Sequence, residues 1–173
     1  MTWNRQANAA GLPRRVAIAF AGLALAMGSA SADAAKGGTQ RPYSSECDTV
    51  VHTADFVNFT IDLRCKVRHL GLTTGTFTQV ADFLGVDNAG NVLLGIHSDD
   101  VTYTAANGDE LWSSFVGTAT VSPGGDVTYG ALETFGGGTG RFEDASGQAA
   151  LRGVATTIPP TVGFYASVGT ISY

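Results

Sequence analysis

Thr60-Ile61-Asp62-Leu63-Arg64-Cys65-Lys66-Val67-Arg68 alternates without a break, placing Ile61, Leu63, Cys65 and Val67 on one side and Asp62, Arg64, Lys66 and Arg68 on the other. Side chains of an extended chain point alternately to opposite faces, so a period of two marks a strand with one face on a core and the other in water. Toward the carboxyl terminus the same texture recurs between strong turn signals. Gly75 to Phe83 is threonine-rich and carries Phe77 and Val80, and Asp87-Asn88-Ala89-Gly90-Asn91 supplies residues that tolerate positive φ. A strand is expected from Val92 to about Thr104, with Asn107-Gly108 turning the chain back through Leu111, Trp112, Phe115 and Val116. Ser122-Pro123-Gly124-Gly125 turns it again. Asp126 to Phe135, Gln148 to Thr156 and Val162 to Tyr173 complete the set, with Gly136 to Gly140 read as an interruption. Together with a first strand near Thr49 to Thr53 the count is eight. No proline falls inside a proposed strand, as ladder hydrogen bonding requires.

Eight short antiparallel strands with tight turns and no helical period fit a closed barrel, because closure removes exposed sheet edges. A β-sandwich is the alternative. The chain has 173 residues, 44% hydrophobic and 14% charged, with 23 glycines, which suits one folded, turn-rich domain rather than a disordered chain.

The amino terminus reads as an address. Arg5, Arg14 and Arg15 precede the apolar or small run Val16 to Met27, and Ala30-Ser31-Ala32 offers a small-x-small cleavage site. That run is shorter than the about 20 residues needed to span a bilayer, so a signal peptide over 1–32 is expected rather than a membrane anchor. Arg14-Arg15 is not followed by the rest of a twin-arginine pattern, which leaves ordinary export to a secreted or periplasmic location. A cut after Ala34 serves equally. Residues 33–45 lack periodicity and read as a flexible leader, with the barrel domain over 46–173.

Loss of residues 1–32 removes three arginines and no acid, taking the net charge from −5 to −8. Such a chain repels polyanions, so nucleic acid is not an expected partner. Cys47 and Cys65 are the two cysteines, and an exported chain with an even count most simply joins them. Their midpoint is Phe56, so a hairpin turn over Ala54 to Asn58 would set them opposite each other.

Gly137-Gly138-Thr139-Gly140-Arg141-Phe142-Glu143-Asp144-Ala145-Ser146-Gly147-Gln148 resembles the glycine-rich stretch of allene oxide cyclases and dirigent proteins, both eight-stranded barrels. Leu70-Gly71-Leu72-Thr73-Thr74-Gly75 is similar to a second cyclase segment. The resemblance spans about residues 49–173 by spacing and implies a barrel with a usable lumen. In the cyclases a cysteine stands where this chain has Phe77, and their acidic amino-terminal signature is absent between Glu46 and Thr60. Glycines at a barrel corner permit positive φ and sharp coiling, after which Phe142 can turn inward as a plug. The stretch is not a dinucleotide fingerprint, since no βαβ unit follows, and no Gly-Lys-Ser/Thr exists to make a phosphate loop. No cofactor is called for.

Glu133 is the outstanding acid, because Val127, Tyr129, Ala131 and Phe135 share its strand face and burial among them would raise its pKa. It is a candidate general acid, against the plainer reading of a rim residue or a partner of the glycine loop. His97, Asp99, Val101 and Tyr103 are expected on one face, where the carboxylate would orient the imidazole; solvated residues on an outer face are the alternative. His69 ends the Ile61 to Val67 face and is placed at a barrel mouth, in a catalytic or a structural role. Phe77, Tyr103, Tyr129 and Phe142 are the candidate ligand-binding aromatics. His52, His69 and His97 lack ligand spacing, so no metal is expected. Leu111 and Phe115 alternate with Trp112 and Val116, so apolar side chains fall on both faces and a homo-oligomer is the simplest cover for the outer ones. Three functions follow: a module that binds a small apolar or aromatic molecule in its lumen, an isomerase or cyclase using Glu133 as acid with His69 or His97 assisting, or a ligand-free structural protein.

Overall fold

The structure is a computed structural model and describes residues 38–173 apart from Ala54 and Phe56. The export signal expected over 1–32, and residues 33–37 of the leader, lie outside the described residues. Eight antiparallel strands close into a barrel in chain order: β1 Arg41–Thr53, β2 Asn58–Val67, β3 Gly71–Val86, β4 Val92–Ala105, β5 Glu110–Val121, β6 Asp126–Gly138, β7 Ser146–Thr156 and β8 Val162–Ser172. Closure is made by β1 on β8, from Arg41 opposite Ile171 to Val50 opposite Val162.

Alternation decides what is inside. Ile61, Leu63, Cys65 and Val67 of β2 are all buried, and their neighbours Asp62, Arg64, Lys66 and Arg68 are exposed. Fully burying a Leu, Ile or Val side chain stabilises by about 1.5–3 kcal/mol, so a one-residue slip that exchanged the faces would lose several such terms at once. Cys47 lies directly opposite Cys65 in the β1–β2 register, and the two form a disulfide.

Two sequence expectations are corrected. The first strand starts at Arg41, not near Thr49, so the last five residues of the expected leader are strand; Tyr43 and Ser45 face the interior, which short alternation next to a proline had hidden. The glycine run Gly136 to Gly140 does not interrupt β6, which continues to Gly138. Three residues of β6, Phe135 to Gly138, advance against two of β5, Leu111 to Ser113, so the glycines form a bulge within the strand, with Gly137 at φ 109°. A bulge strengthens the local twist, and only glycine adopts that φ without strain. One 3₁₀ turn, Gly140–Phe142, follows and drives Phe142 into complete burial. Its ring packs against Tyr173 at 4.8 Å between centroids, closing the barrel at the end where β6 passes into β7.

Candidate functional site

Among the described residues the opposite end is open. A cavity of about 140 Å³ enters between the β1–β2, β3–β4, β5–β6 and β7–β8 connections, with Leu94, Ile96, Phe77, Phe115 and Val101 among its walls. Phe77 and Phe115 meet edge to face with centroids 5.7 Å apart, a favourable aromatic geometry that fixes one wall. Tyr103, Tyr129 and Tyr165 also line the cavity. Of the four candidate aromatics, Phe77, Tyr103 and Tyr129 line this cavity. Phe142 does not line the cavity; it is the plug of the far end, because the 3₁₀ turn carries it to the β6–β7 side.

Beneath the cavity the interior turns polar. Glu133 projects inward from the middle of β6 and is 1% exposed. Its Oε1 accepts hydrogen bonds from Tyr103 Oη at 2.6 Å and Ser113 Oγ at 2.9 Å, and its Oε2 accepts one from Ser167 Oγ at 3.0 Å. Tyr103 Oη also lies 3.0 Å from Tyr165 Oη. Three strands, β4, β5 and β8, therefore converge on a carboxyl group carried by β6. Burial pushes the Glu133 pKa above the ordinary carboxylate value, and the three hydrogen bonds oppose that push without overcoming it. Burial and the neighbouring Glu133 charge hold the Tyr103 and Tyr165 hydroxyls firmly in their neutral form. Three more hydroxyls belong to the same part of the interior. Tyr43, Ser45 and Thr73 are buried, with Tyr43 close to Ser45 and Tyr103, and Ser45 sits beside Ser167 in the β1–β8 register.

Glu133 is thus neither a rim residue nor a partner of the glycine loop. It is also not part of the cavity wall, since Tyr103 and Tyr165 stand between it and the open space. Ser113, Ser167 and Tyr165 are the interior residues that sequence reading missed. Serines in a threonine-rich barrel carry no distinguishing pattern, and Tyr165 could have been found only by pairing its inward parity in β8 with that of Glu133 in β6.

The two candidate histidines stand elsewhere. On β4 the chain advances three residues, Ser98 to Val101, while β5 advances two, Phe115 to Ser113. This bulge reverses the parity of the strand. Ile96 and Ser98 face inward before it, Val101 and Tyr103 after it, so His97 and Asp99 face outward and do not share a face with Tyr103. His97 Nδ1 instead lies 3.8 Å from Asp82 on β3, with both groups well exposed. Asp100 stabilises the bulge, accepting hydrogen bonds from the Thr78 amide at 2.8 Å and Ser98 Oγ at 2.9 Å. His69 occupies the β2–β3 turn at φ 77° and donates from Nε2 to the Pro42 carbonyl at 2.9 Å. Arg141 donates to the His69 carbonyl, and the His69 ring packs against Tyr173 at 5.8 Å between centroids. His69 therefore fastens the plugged end, opposite the cavity mouth, and the structure does not bring it to Glu133. Among the described residues no group of His, Cys, Asp or Glu is arranged to hold a metal, and no helix is long and apolar enough to cross a membrane.

The geometry defines an all-β closed barrel with one apolar opening above a buried acid and tyrosine cluster. No known protein family and no curated protein matches this sequence.

Proposed function

We propose that this chain is an exported barrel that binds one small apolar or aromatic molecule in its lumen. The observation that carries this reading is the cavity itself: about 140 Å³, apolar-walled and, among the described residues, open at one end, with Tyr103 and Tyr165 in its lining. A site of about 150 Å³ lined by apolar side chains holds a benzene-sized molecule, and eight-stranded barrels commonly leave room for one small ligand. A ligand-free structural role would suit a lumen filled by side chains, and the cavity among the described residues favours binding over it. The resemblance of Gly137 to Gln148 to the allene oxide cyclase and dirigent barrels supports the same reading. Export rests on the signal-like segment 1–32, and the Cys47–Cys65 disulfide agrees with an oxidising compartment outside the cytoplasm.

A second reading is supported by Glu133. A carboxyl group held toward its acid form and bonded to Tyr103, which lines the cavity, has the make-up of a general acid for an isomerase or cyclase. Because Glu133 does not border the cavity, it would act through Tyr103, without either histidine. In this reading Glu133→Gln removes turnover and spares ligand affinity.

The outer face supports self-association. Val116, Leu132, Ala150 and Val168 are consecutive partners across β5, β6, β7 and β8, and all four are exposed, which makes an apolar row a second copy could cover.

The binding reading is tested by titrating the full chain with toluene and following lumen resonances by NMR. Saturable shifts at Phe77, Phe115 and Tyr129 are expected, and Ala119→Trp, which fills the cavity from β5, is expected to abolish them. Absence of saturable shifts in the unmodified chain refutes the reading.

A further inference from the structure

We propose that the cavity selects a ring-sized molecule bearing a hydroxyl group, inserted with that hydroxyl toward Tyr165 so that it donates a hydrogen bond to the Tyr165 oxygen. The inference rests on the reading of the cavity as a ligand site and adds the chemistry of what it takes.

Proton counting at the cavity floor carries it. A tyrosine or serine hydroxyl has one proton to give and lone pairs to accept with. Tyr103 gives its proton to Glu133 Oε1, and the 2.6 Å separation marks a short, strong bond. Its 3.0 Å contact with Tyr165 therefore uses the Tyr165 proton, donated to the Tyr103 oxygen. Ser113 and Ser167 direct their protons to the same carboxyl group. Two donors are aimed at Oε1 and one at Oε2, so a proton on Glu133 goes to Oε2; Ser167 then accepts instead of donating, and Oε1 still accepts from Tyr103 and Ser113. In either state the Tyr165 oxygen keeps accepting capacity and has no proton left for the cavity. Tyr165 and Tyr103 are the members of this cluster that line the cavity.

The matching group on a ligand is a donor. A ketone or ether brings only lone pairs and would set acceptor against acceptor, losing its own hydration without return. A hydroxyl supplies the proton. An ammonium group supplies protons too, but it would bring a charge among Leu94, Ile96, Val101, Phe77 and Phe115 while burial keeps Glu133 toward its neutral form. The apolar walls then accommodate the remainder of a single ring, which the volume of the cavity permits.

Cyclohexanol and cyclohexanone have nearly the same size and shape and differ in having a proton to donate, and toluene serves as the apolar control. Each is titrated by NMR into the full chain and into Tyr165→Phe. Cyclohexanol is expected to bind about tenfold more tightly than cyclohexanone, the scale of one net hydrogen bond. In Tyr165→Phe that preference is expected to collapse to within about twofold, with toluene affinity unchanged to the same margin. Equal affinity of the alcohol and the ketone in the unmodified chain overturns the proposal whether or not the variant folds, as does a preference that survives in Tyr165→Phe. Toluene binding without discrimination between the other two refutes the hydroxyl specificity and leaves the lumen reading standing. Failure of all three to bind refutes both.

Discussion

Replacement of Glu133 by Gln changes the pH dependence of stability in a direction that the interior dictates. The Gln oxygen can accept from Tyr103 and Ser113 as Oε1 does, and its amide can donate to Ser167, so the variant reproduces the geometry of the neutral acid without a titrating proton. In the unfolded chain the Glu133 carboxyl loses its proton around its ordinary value of 4.5, whereas in the folded barrel burial delays that loss to higher pH. Between the two values the folded state holds more protons than the unfolded one, so folding stability falls as pH rises. The stabilising contribution is complete below the unfolded pKa and is lost progressively until the folded carboxyl itself ionises. For one proton the slope approaches about 1.4 kcal/mol per pH unit within that window. Urea denaturation of the unmodified chain and of Glu133→Gln at matched pH values from 4 to 9 isolates this group, because all other titrating residues are common to both. The two stability curves are expected to converge near pH 4 and to separate above it, with the unmodified chain losing ground. Parallel curves would refute the assignment of a raised pKa. A gain by the unmodified chain as pH rises would show that the three hydrogen bonds outweigh burial.

The remaining predictions concern the staple, the plug and the outer face. Replacing both Cys47 and Cys65 by Ser opens a loop of sequence separation 18, and a loss of about 3 kcal/mol in urea denaturation is expected on the chain-entropy account; a loss below about 1 kcal/mol would show that the unfolded chain is little constrained by the bridge. Phe142→Ala removes a completely buried ring packed on Tyr173 and is expected to cost about 3–5 kcal/mol in the same measurement. A cost near zero would mean that the plugged end is not packed. His97→Ala is expected to leave stability within about 0.5 kcal/mol and toluene affinity unchanged, since His97 stands outside the barrel near Asp82. A tenfold loss of toluene affinity would refute the parity reversal on β4.

Local pattern was sufficient wherever the chain obeyed a period of two between clear turns. The β2 alternation, the Asn107-Gly108 turn and the opposition of Cys47 to Cys65 follow from spacing alone, because side-chain direction in a strand is set by parity and hairpin register by turn length. The same parity put Glu133, Tyr129 and Phe135 on one face of β6, and the structure turns that face inward. Parity failed at bulges. One extra residue in Ser98 to Val101 turned His97 and Asp99 outward, and a bulge at the β6 glycines extended a strand through what looked like a break. The relevant signals, Asp100 reaching the Thr78 amide and Gly137 at positive φ, depend on a neighbouring strand and carry little meaning along the chain alone.

What the amino-acid order determined by itself was an all-β chain, its strand count, its covalent staple and the strand face that Glu133 shares with Tyr129 and Phe135, each a matter of short-range spacing. Tertiary structure alone decided that β1 meets β8, that Phe142 stops one end while the other stays open, and that Tyr103, Ser113, Tyr165 and Ser167 converge on Glu133. Those residues come from three strands besides that of Glu133, β4, β5 and β8, and lie up to 62 positions apart in the Tyr103–Tyr165 pair. Ser113 comes from the neighbouring strand of the β5–β6 hairpin, but Tyr103, Tyr165 and Ser167 reach the cluster only because the sheet curls into a barrel, since nothing local constrains the distance between side chains on strands that are not neighbours.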